Sequence, residues 1–180
     1  MSGGASGEVL KIKLADPAAT EHLGGALARS LSADRDAVVY LDGDLGAGKT
    51  TLARALLRGL GVLGPIRSPT YTLVERYPLA TGGESAHLDL YRISDPEELD
   101  YLALDELTAC ARLWLVEWPQ HGAGRLPQAD LVVSLAVVGD ARAAHVQAQS
   151  VVGKRWLANL DSDPFSGLGA GPLQKSSLKG

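Results

Sequence analysis

Hydrophobic and polar residues alternate in several short stretches of the chain, and apolar residues recur at helical spacing between them. Alternation over 9–14 and a short apolar run over 37–42 each predict a β-strand. Leucines four residues apart predict a helix that begins at Asp16 and Pro17, a capping side chain followed by proline. The same spacing predicts a second helix over 51–60. The first third of the chain therefore alternates between strand and helix.

Two antiparallel hairpins are predicted in the rest of the chain, from paired alternating runs at 71–77 with 86–93 and at 130–138 with 143–152. The pattern also predicts a strand over 113–116 that ends in Glu117, a helix from Asp95 and Pro96, and a helix over 154–159. Strand–helix units next to hairpins predict an α/β fold with a mixed parallel and antiparallel sheet flanked by helices.

The chain has 180 residues, enough for one domain with one core. We expect this domain to span 9–160. Residues 1–8 are small and polar and predict a flexible N-terminal tail. Residues 161–180 are rich in Gly, Ser, Pro and Lys, and they predict a disordered C-terminal tail.

The charge balance argues against independent binding of nucleic acid. The net charge is −4, with 17 basic and 21 acidic residues, so no stable DNA binding is expected. The single cysteine, Cys110, excludes an internal disulfide and favours a reducing cytoplasm; its apolar surroundings predict a small core residue. No signal peptide or membrane-spanning run is visible, so we expect a cytoplasmic protein without a membrane partner.

Residues 43–50 read Gly-Asp-Leu-Gly-Ala-Gly-Lys-Thr and match the phosphate-binding P-loop at every fixed position. The loop stands between a predicted strand and a predicted helix, where backbone N–H groups and the helix N-terminus converge on a phosphate. Lys49 is expected to reach the β and γ phosphates, and Thr50 to place its hydroxyl on Mg²⁺. The sequence thus predicts a single P-loop NTPase-like domain.

Acidic residues at strand ends are candidates for further chemistry. Glu117 either helps to hold Mg²⁺ or faces solvent at the end of its strand. Asp89 lies among apolar residues and either supports Mg²⁺, orients water or pairs with a base such as Arg92. His87 is interpreted as a packed or hydrogen-bonding residue, because no second His or Cys stands at metal-ligand spacing.

The loop over 68–72 precedes a predicted strand and carries Thr70, where nucleotide switches place a hydroxyl that senses the γ-phosphate. Alone, this Ser-Pro-Thr segment also fits an ordinary turn. Trp118 fits either a packing role or a docking surface. The Asp-x-x-Gly and Asn-Lys-x-Asp motifs of GTPases do not occur. The classes left open are an ATPase, a nucleotide-gated binding module and a small-molecule kinase.

Four motifs together resemble the TsaE family of bacterial ATPases in tRNA threonylcarbamoyladenosine biosynthesis. They are the P-loop, Ser-Pro-Thr-Tyr-Thr-Leu-Val at 68–74, His-Leu-Asp-Leu-Tyr-Arg at 87–92 and Val-Glu-Trp-Pro at 116–119. Their order and spacing match the family, and the resemblance covers roughly 9–158.

This resemblance implies an ATPase that works with TsaB and TsaD in forming N6-threonylcarbamoyladenosine in tRNAs that read ANN codons. ATP turnover is implied to reset that complex, and tRNA is expected to be a partner indirectly, through the complex. The resemblance places Mg²⁺ at Thr50 and Glu117 and catalysis at Lys49, Thr70, Asp89 and Glu117. It implies nucleotide contacts at Thr20, Gly43, Asp44, Leu45, Gly46, Ala47, Gly48, Lys49, Thr50, Thr51 and Arg142.

Overall fold

The structure is a computed structural model and describes residues 9–32, 36–162 and 174–175. Within these residues one eight-stranded sheet has the order β3-β4-β5-β2-β6-β7-β1-β8. Its strands are β1 (Val9–Leu14), β2 (Ala37–Gly43), β3 (Val74–Pro78), β4 (Glu84–Asp89), β5 (Ala111–Glu117), β6 (Leu131–Val138), β7 (Ala141–Ala148) and β8 (Gln174–Lys175).

Parallel pairing joins β4 to β5, β5 to β2 and β2 to β6, and antiparallel pairing joins the strands on either side. The two predicted hairpins are β3–β4 and β6–β7. The predicted fold class, an α/β domain with a mixed sheet, is therefore confirmed.

Four α-helices are described: α1 (Pro17–Ser30), α2 (Lys49–Gly59), α3 (Leu104–Cys110) and α4 (Val151–Ser162). The helix start predicted at Asp16 is confirmed, since the Asp16 carboxylate accepts a hydrogen bond of 2.8 Å from the Ala19 N–H. The start predicted at Asp95 opens a 3-10 helix, Pro96–Leu102, with α3 directly behind it. A second 3-10 helix, Pro119–Gly122, follows β5.

Alternation along the central strands divides the core between the two faces of the sheet. Val39 and Leu115 pack with apolar residues of α1, α2 and α4 on one face. Trp114 and Val116 pack on the other face with Leu99 of the first 3-10 helix. The sheet is thus covered on both sides, which explains why β2 and β5 are almost continuously apolar.

Several predicted boundaries were wrong. The strand predicted over 71–77 begins only at Val74, because 69–72 form a turn and Leu73 has a positive φ of 62°. The strand predicted over 143–152 ends at Ala148, and α4 begins at Val151. Cys110 is exposed at the end of α3, contrary to the predicted core position.

The predicted tails lie mostly outside the described residues, namely 1–8, 163–173 and 176–180. Within the predicted C-terminal tail, β8 pairs with β1 in antiparallel register. None of the described helices has the length and apolar character needed to cross a membrane.

Candidate functional site

The P-loop runs from the end of β2 into the first turn of α2, at the edge of the sheet where the parallel strands end. Gly48 is the residue before α2 and has a positive φ of 107°, in the left-handed region that favours glycine. The backbone turns sharply there, so Lys49 and Thr50 occupy the first two positions of the helix. The N-terminus of α2 thereby faces the cavity described below.

Lys49 is buried inside this loop, with 5% of its surface exposed. Its Nζ donates hydrogen bonds of 2.6 Å to the carbonyl of Gly43 and 2.8 Å to that of Asp44. The ammonium also lies 3.9 Å from the centroid of the Trp118 ring. Burial lowers the pKa of Lys49, and nearby carboxylates, that of Glu117 first, oppose this shift. The loop therefore holds a buried ammonium whose hydrogen-bond partners are two neutral backbone carbonyls.

Glu117 ends β5 and is 2% exposed, so the alternative of a solvent-facing glutamate is wrong. Its Oε2 accepts a hydrogen bond of 2.9 Å from the Thr50 hydroxyl. Its Oε1 lies 2.8 Å from His87 Nε2, and His87 is itself fully buried. These contacts join β4, β5 and the first turn of α2 through one carboxylate.

Asp89 ends β4 and is also buried. Its Oδ2 accepts a hydrogen bond of 3.0 Å from the Thr70 hydroxyl, and its Oδ1 accepts one of 3.1 Å from the Tyr91 N–H. In the described part of the chain, Arg92 forms no ion pair with Asp89; its guanidinium stacks 4.4 Å from the Tyr71 ring centroid. The pairing alternative with Arg92 is therefore wrong, and Asp89 is held by the 68–72 loop instead.

Thr20 and Arg142 approach the P-loop from the other side. Thr20, on α1, is 1% exposed, and its hydroxyl has no hydrogen-bond partner among the described residues. Such a buried hydroxyl beside a cavity is suited to a ligand's polar atom. Arg142, on β7, donates from Nε to the carbonyl of Ala47 over 3.1 Å and from its terminal nitrogen to that of Gly46 over 3.5 Å.

These side chains surround one cavity of about 340 Å³. Most predicted site residues line it: Thr20, Leu45, Gly46, Gly48, Lys49, Thr50, Thr51, Thr70, Asp89, Glu117 and Arg142. The other three predicted residues do not line it: Gly43, Asp44 and Ala47 belong to the loop and offer the carbonyls that Lys49 and Arg142 bond.

Sequence reasoning missed some of the lining. Pro17 lines the cavity. The one feature of the sequence that could have indicated this position is that Pro17 lies one helical turn before Thr20. Tyr91 also lines the cavity and packs against Trp118, with ring centroids 5.0 Å apart. Trp118 is therefore both a packing residue and part of the site.

The donor set limits which metal fits the site. Within the described residues there is no group of three or more His, Cys, Asp or Glu side chains placed to hold a metal ion. One carboxylate and one hydroxyl suit Mg²⁺, which takes one or two protein oxygens and completes its shell with water and phosphate. Thr50 and Glu117 are the residues that would offer these oxygens.

A glycine-rich loop that joins a central parallel strand to a helix beginning Lys-Thr defines a P-loop NTPase-like α/β domain. The family model of the threonylcarbamoyl adenosine biosynthesis protein TsaE matches residues 14–144. Because this match covers most of the chain, the protein belongs to the TsaE family.

Individual relatives agree with this membership. The tRNA threonylcarbamoyladenosine biosynthesis protein TsaE of Haemophilus influenzae is 46% identical over 128 residues, which cover 71% of this chain and 80% of that protein. The TsaE protein of Streptomyces coelicolor is 37% identical over 150 residues, covering 81% and 98%. The crystal structure of Bacillus subtilis YdiB superposes with a TM-score of 0.70 at 26% identity, covering 88% of this chain and 97% of that one.

Proposed function

We propose that this protein is an ATP-hydrolysing accessory protein of tRNA threonylcarbamoyladenosine biosynthesis that uses Mg²⁺. The observation that carries the proposal is the convergence of Lys49, the Thr50–Glu117 pair and the Thr70–Asp89 pair on one cavity. Membership of the TsaE family supports the assignment to this pathway. A P-loop alone supports nucleotide binding, whereas two buried carboxylates beside it also support hydrolysis.

We assign the binding roles as follows. Lys49 and the backbone N–H groups of the P-loop hold the phosphates. Thr50 and Glu117 hold Mg²⁺, which neutralises charge on the phosphate oxygens when bound. Thr20 and Arg142 contact the nucleotide from α1 and β7, and the unpartnered Thr20 hydroxyl supports this role.

Asp89 and Thr70 act in hydrolysis under this proposal. Asp89 is fixed through both oxygens, by the Thr70 hydroxyl and the Tyr91 N–H. A carboxylate held in this way beside the P-loop is suited to orient an attacking water. Thr70 belongs to the 68–72 loop, so it links the state of the site to a segment that other proteins can contact.

The partners we propose are TsaB and TsaD. With 17 basic and 21 acidic residues, the chain is not built to grip RNA alone, so tRNA reading ANN codons is held by the complex. ATP turnover then resets the complex between rounds of modification, which requires different affinities of this protein for its partners in the ATP and ADP states. We assign this work to the cytoplasm, which the single unpaired cysteine favours.

Steady-state hydrolysis of ATP tests the proposal directly. It is measured for the protein alone and with TsaB, TsaD and tRNA, together with the threonylcarbamoyladenosine content of the tRNA. We expect the partners to stimulate hydrolysis and repeated modification to require ATP. Hydrolysis without any response to the partners or effect on tRNA would contradict the assignment. Transfer of labelled γ-phosphate to an acceptor other than water would instead indicate a kinase.

A nucleotide-gated binding module is the second candidate, and exposed apolar side chains around the cavity favour it. Leu45 is 73% exposed and belongs to the P-loop, and Tyr71 is 81% exposed and follows Thr70, which we place in hydrolysis. Such residues suit a surface whose partner binds according to the nucleotide. Glu117→Ala and Asp89→Ala separate the two candidates. Loss of turnover with intact ATP binding and intact tRNA modification would favour the module.

A further inference from the structure

His87 makes one polar contact through its side chain in the described part of the chain. Its Nε2 lies 2.8 Å from Glu117 Oε1, and its Nδ1 is buried without a hydrogen-bond partner. A carboxylate only accepts hydrogen bonds, so the proton of this contact lies on Nε2. A fully buried imidazole is costly to desolvate, and the one side-chain hydrogen bond described for His87 goes to Glu117.

The sheet register produces this contact. In the parallel pairing of β4 with β5, His87 lies opposite Leu115, two residues before Glu117. Residues two apart point to the same face of a strand, so the imidazole and the Glu117 carboxylate meet diagonally under the first turn of α2. Two paired strands therefore set the distance between His87 Nε2 and Glu117 Oε1, and the contact does not depend on the conformation of a loop.

Both oxygens of Glu117 are occupied as a result. His87 holds Oε1 and the Thr50 hydroxyl holds Oε2, which fixes the plane of the carboxylate. Lys49 is buried nearby, yet its ammonium bonds to the carbonyls of Gly43 and Asp44 rather than to Glu117. Without the contact to His87, the buried Glu117 carboxylate would be stabilised by pairing with the Lys49 ammonium, because an uncompensated buried charge of either sign is costly.

We propose that His87 is a positioning residue for Glu117. It keeps Oε2 directed at Thr50 and available to a divalent cation, and it prevents Glu117 from closing an ion pair with Lys49. This role rests on the proposed binding of ATP with Mg²⁺. It adds to that proposal a residue that contacts neither nucleotide nor cation.

Two amide variants provide a matched test. In His87→Gln the side-chain NH₂ falls near the position of the imidazole Nε2, whereas in His87→Asn it falls near Nδ1. Both remove the ring, and a loss of packing alone would weaken nucleotide binding with and without Mg²⁺ alike. Binding of a non-hydrolysable ATP analogue is measured by calorimetry, once with Mg²⁺ and once with EDTA.

The measured quantity is the factor by which Mg²⁺ raises the affinity for the ATP analogue. For His87→Asn we expect this factor to fall by roughly tenfold to a hundredfold, the usual effect of removing an outer partner of a metal ligand. For His87→Gln we expect the factor to stay within about threefold of its original value, because the side-chain NH₂ still donates to Glu117. Equal loss in both variants, or an unchanged gain in the Asn variant, would overturn the inference while leaving the proposed function standing. If the unaltered protein binds no nucleotide, the proposed function fails and this inference fails with it.

A spectroscopic measurement on the unaltered protein covers the case in which the Asn variant does not fold. The chain has four histidines, and ¹⁵N labelling with His87→Gln as the assignment control identifies the His87 signals. We expect a proton on Nε2 that exchanges slowly with water and whose shift changes in Glu117→Gln. A ring protonated on Nδ1 alone, or fast exchange of the Nε2 proton, would overturn the inference.

Discussion

The Thr70 hydroxyl donates a hydrogen bond of 3.0 Å to Asp89 Oδ2, and this bond ties the loop before β3 to the last residue of β4. Ser68 Oγ lies 2.8 Å from the same hydroxyl, so the loop presents a short chain of oxygens to the carboxylate. The proposed hydrolytic carboxylate is therefore oriented by a loop rather than by a helix or a neighbouring strand.

Replacing Thr70 tests this link. Thr70→Val keeps the shape of the side chain but removes the donor to Asp89, so we expect ATP turnover in the complex to fall by about 10²-fold or more, as for loss of a positioned acid–base group. Affinity for ATP should change little, because the phosphate contacts lie elsewhere. Thr70→Ser retains the hydroxyl and serves as the control. Wild-type turnover in Thr70→Val would show that the bond to Asp89 is not needed.

Lys49→Met is expected to weaken ATP binding while preserving the fold. The methionine keeps the apolar stem but loses the ammonium, and charged hydrogen bonds of about 1.5–3 kcal/mol correspond to a loss of roughly 10-fold to 150-fold in affinity. Calorimetric titration with ATP measures the loss, and Lys154→Met, an exposed change on α4, is the control.

Thermal unfolding without nucleotide provides the second readout for Lys49. The bonds to the Gly43 and Asp44 carbonyls are lost in Lys49→Met, but the cost of burying a charge is lost with them. We therefore expect a shift of only a few degrees. A far larger decrease in the melting temperature would mean that the lysine stabilises the fold rather than the ligand.

Arg142 reaches the P-loop from β7 and bonds to the carbonyls of Ala47 and Gly46. Arg142→Ala should weaken ATP binding by about tenfold, the value of one good hydrogen bond to a charged group, and leave the melting temperature nearly unchanged. Arg142→Lys retains the charge but not the planar set of donors, so its affinity for ATP should lie between those of the Ala variant and the unaltered protein. An Ala variant with wild-type affinity would remove Arg142 from the nucleotide site.

Adjacent glycines on α1 give opposite predictions for stability. A Cβ at Gly24 would lie 2.5 Å from the Ala55 Cβ and 2.7 Å from the Leu52 carbonyl, so α1 and α2 would have to separate. We expect Gly24→Ala to lower the free energy of unfolding by about 1–3 kcal/mol. Gly25→Ala meets only the flexible Arg29 side chain at 3.4 Å and should stabilise the protein by up to about 1 kcal/mol. Urea unfolding of both variants measures the difference, and a stable Gly24→Ala protein would contradict the tight packing of α1 on α2.

Features set by neighbouring residues could be predicted from the sequence. The cap at Asp16, the P-loop and the β6–β7 hairpin each depend on contacts within a few residues or on a two-residue turn. Interactions across strands could not be predicted in the same way. Alternation along a strand puts His87 and Asp89 on one face, but the partner of His87 follows only from the pairing of β4 with β5.

Tertiary contacts overrode local preference at two other positions. Trp118 has a positive φ of 57°, which a bulky residue avoids and which nothing in the local sequence indicates. Its ring packs against Tyr91 and lies 3.9 Å from the Lys49 ammonium. Cys110 was misplaced in the core because its neighbours are apolar, although it ends a short helix whose last residues face outwards. Local composition does not fix which way a helix end is turned.

The position of β1 determines the order in which the sheet can be completed during synthesis. Of the described strands, β1 pairs only with β7 and β8, both near the C-terminus. Likewise, the Trp156 indole donates a hydrogen bond to the Leu27 carbonyl across a separation of 129 residues. Of the described strands, β1 leaves the ribosome earliest and waits with unpaired edges until β7 has emerged, and contacts of this length also slow folding. The earliest of the described strands to be made is thus among the last to be paired in the sheet.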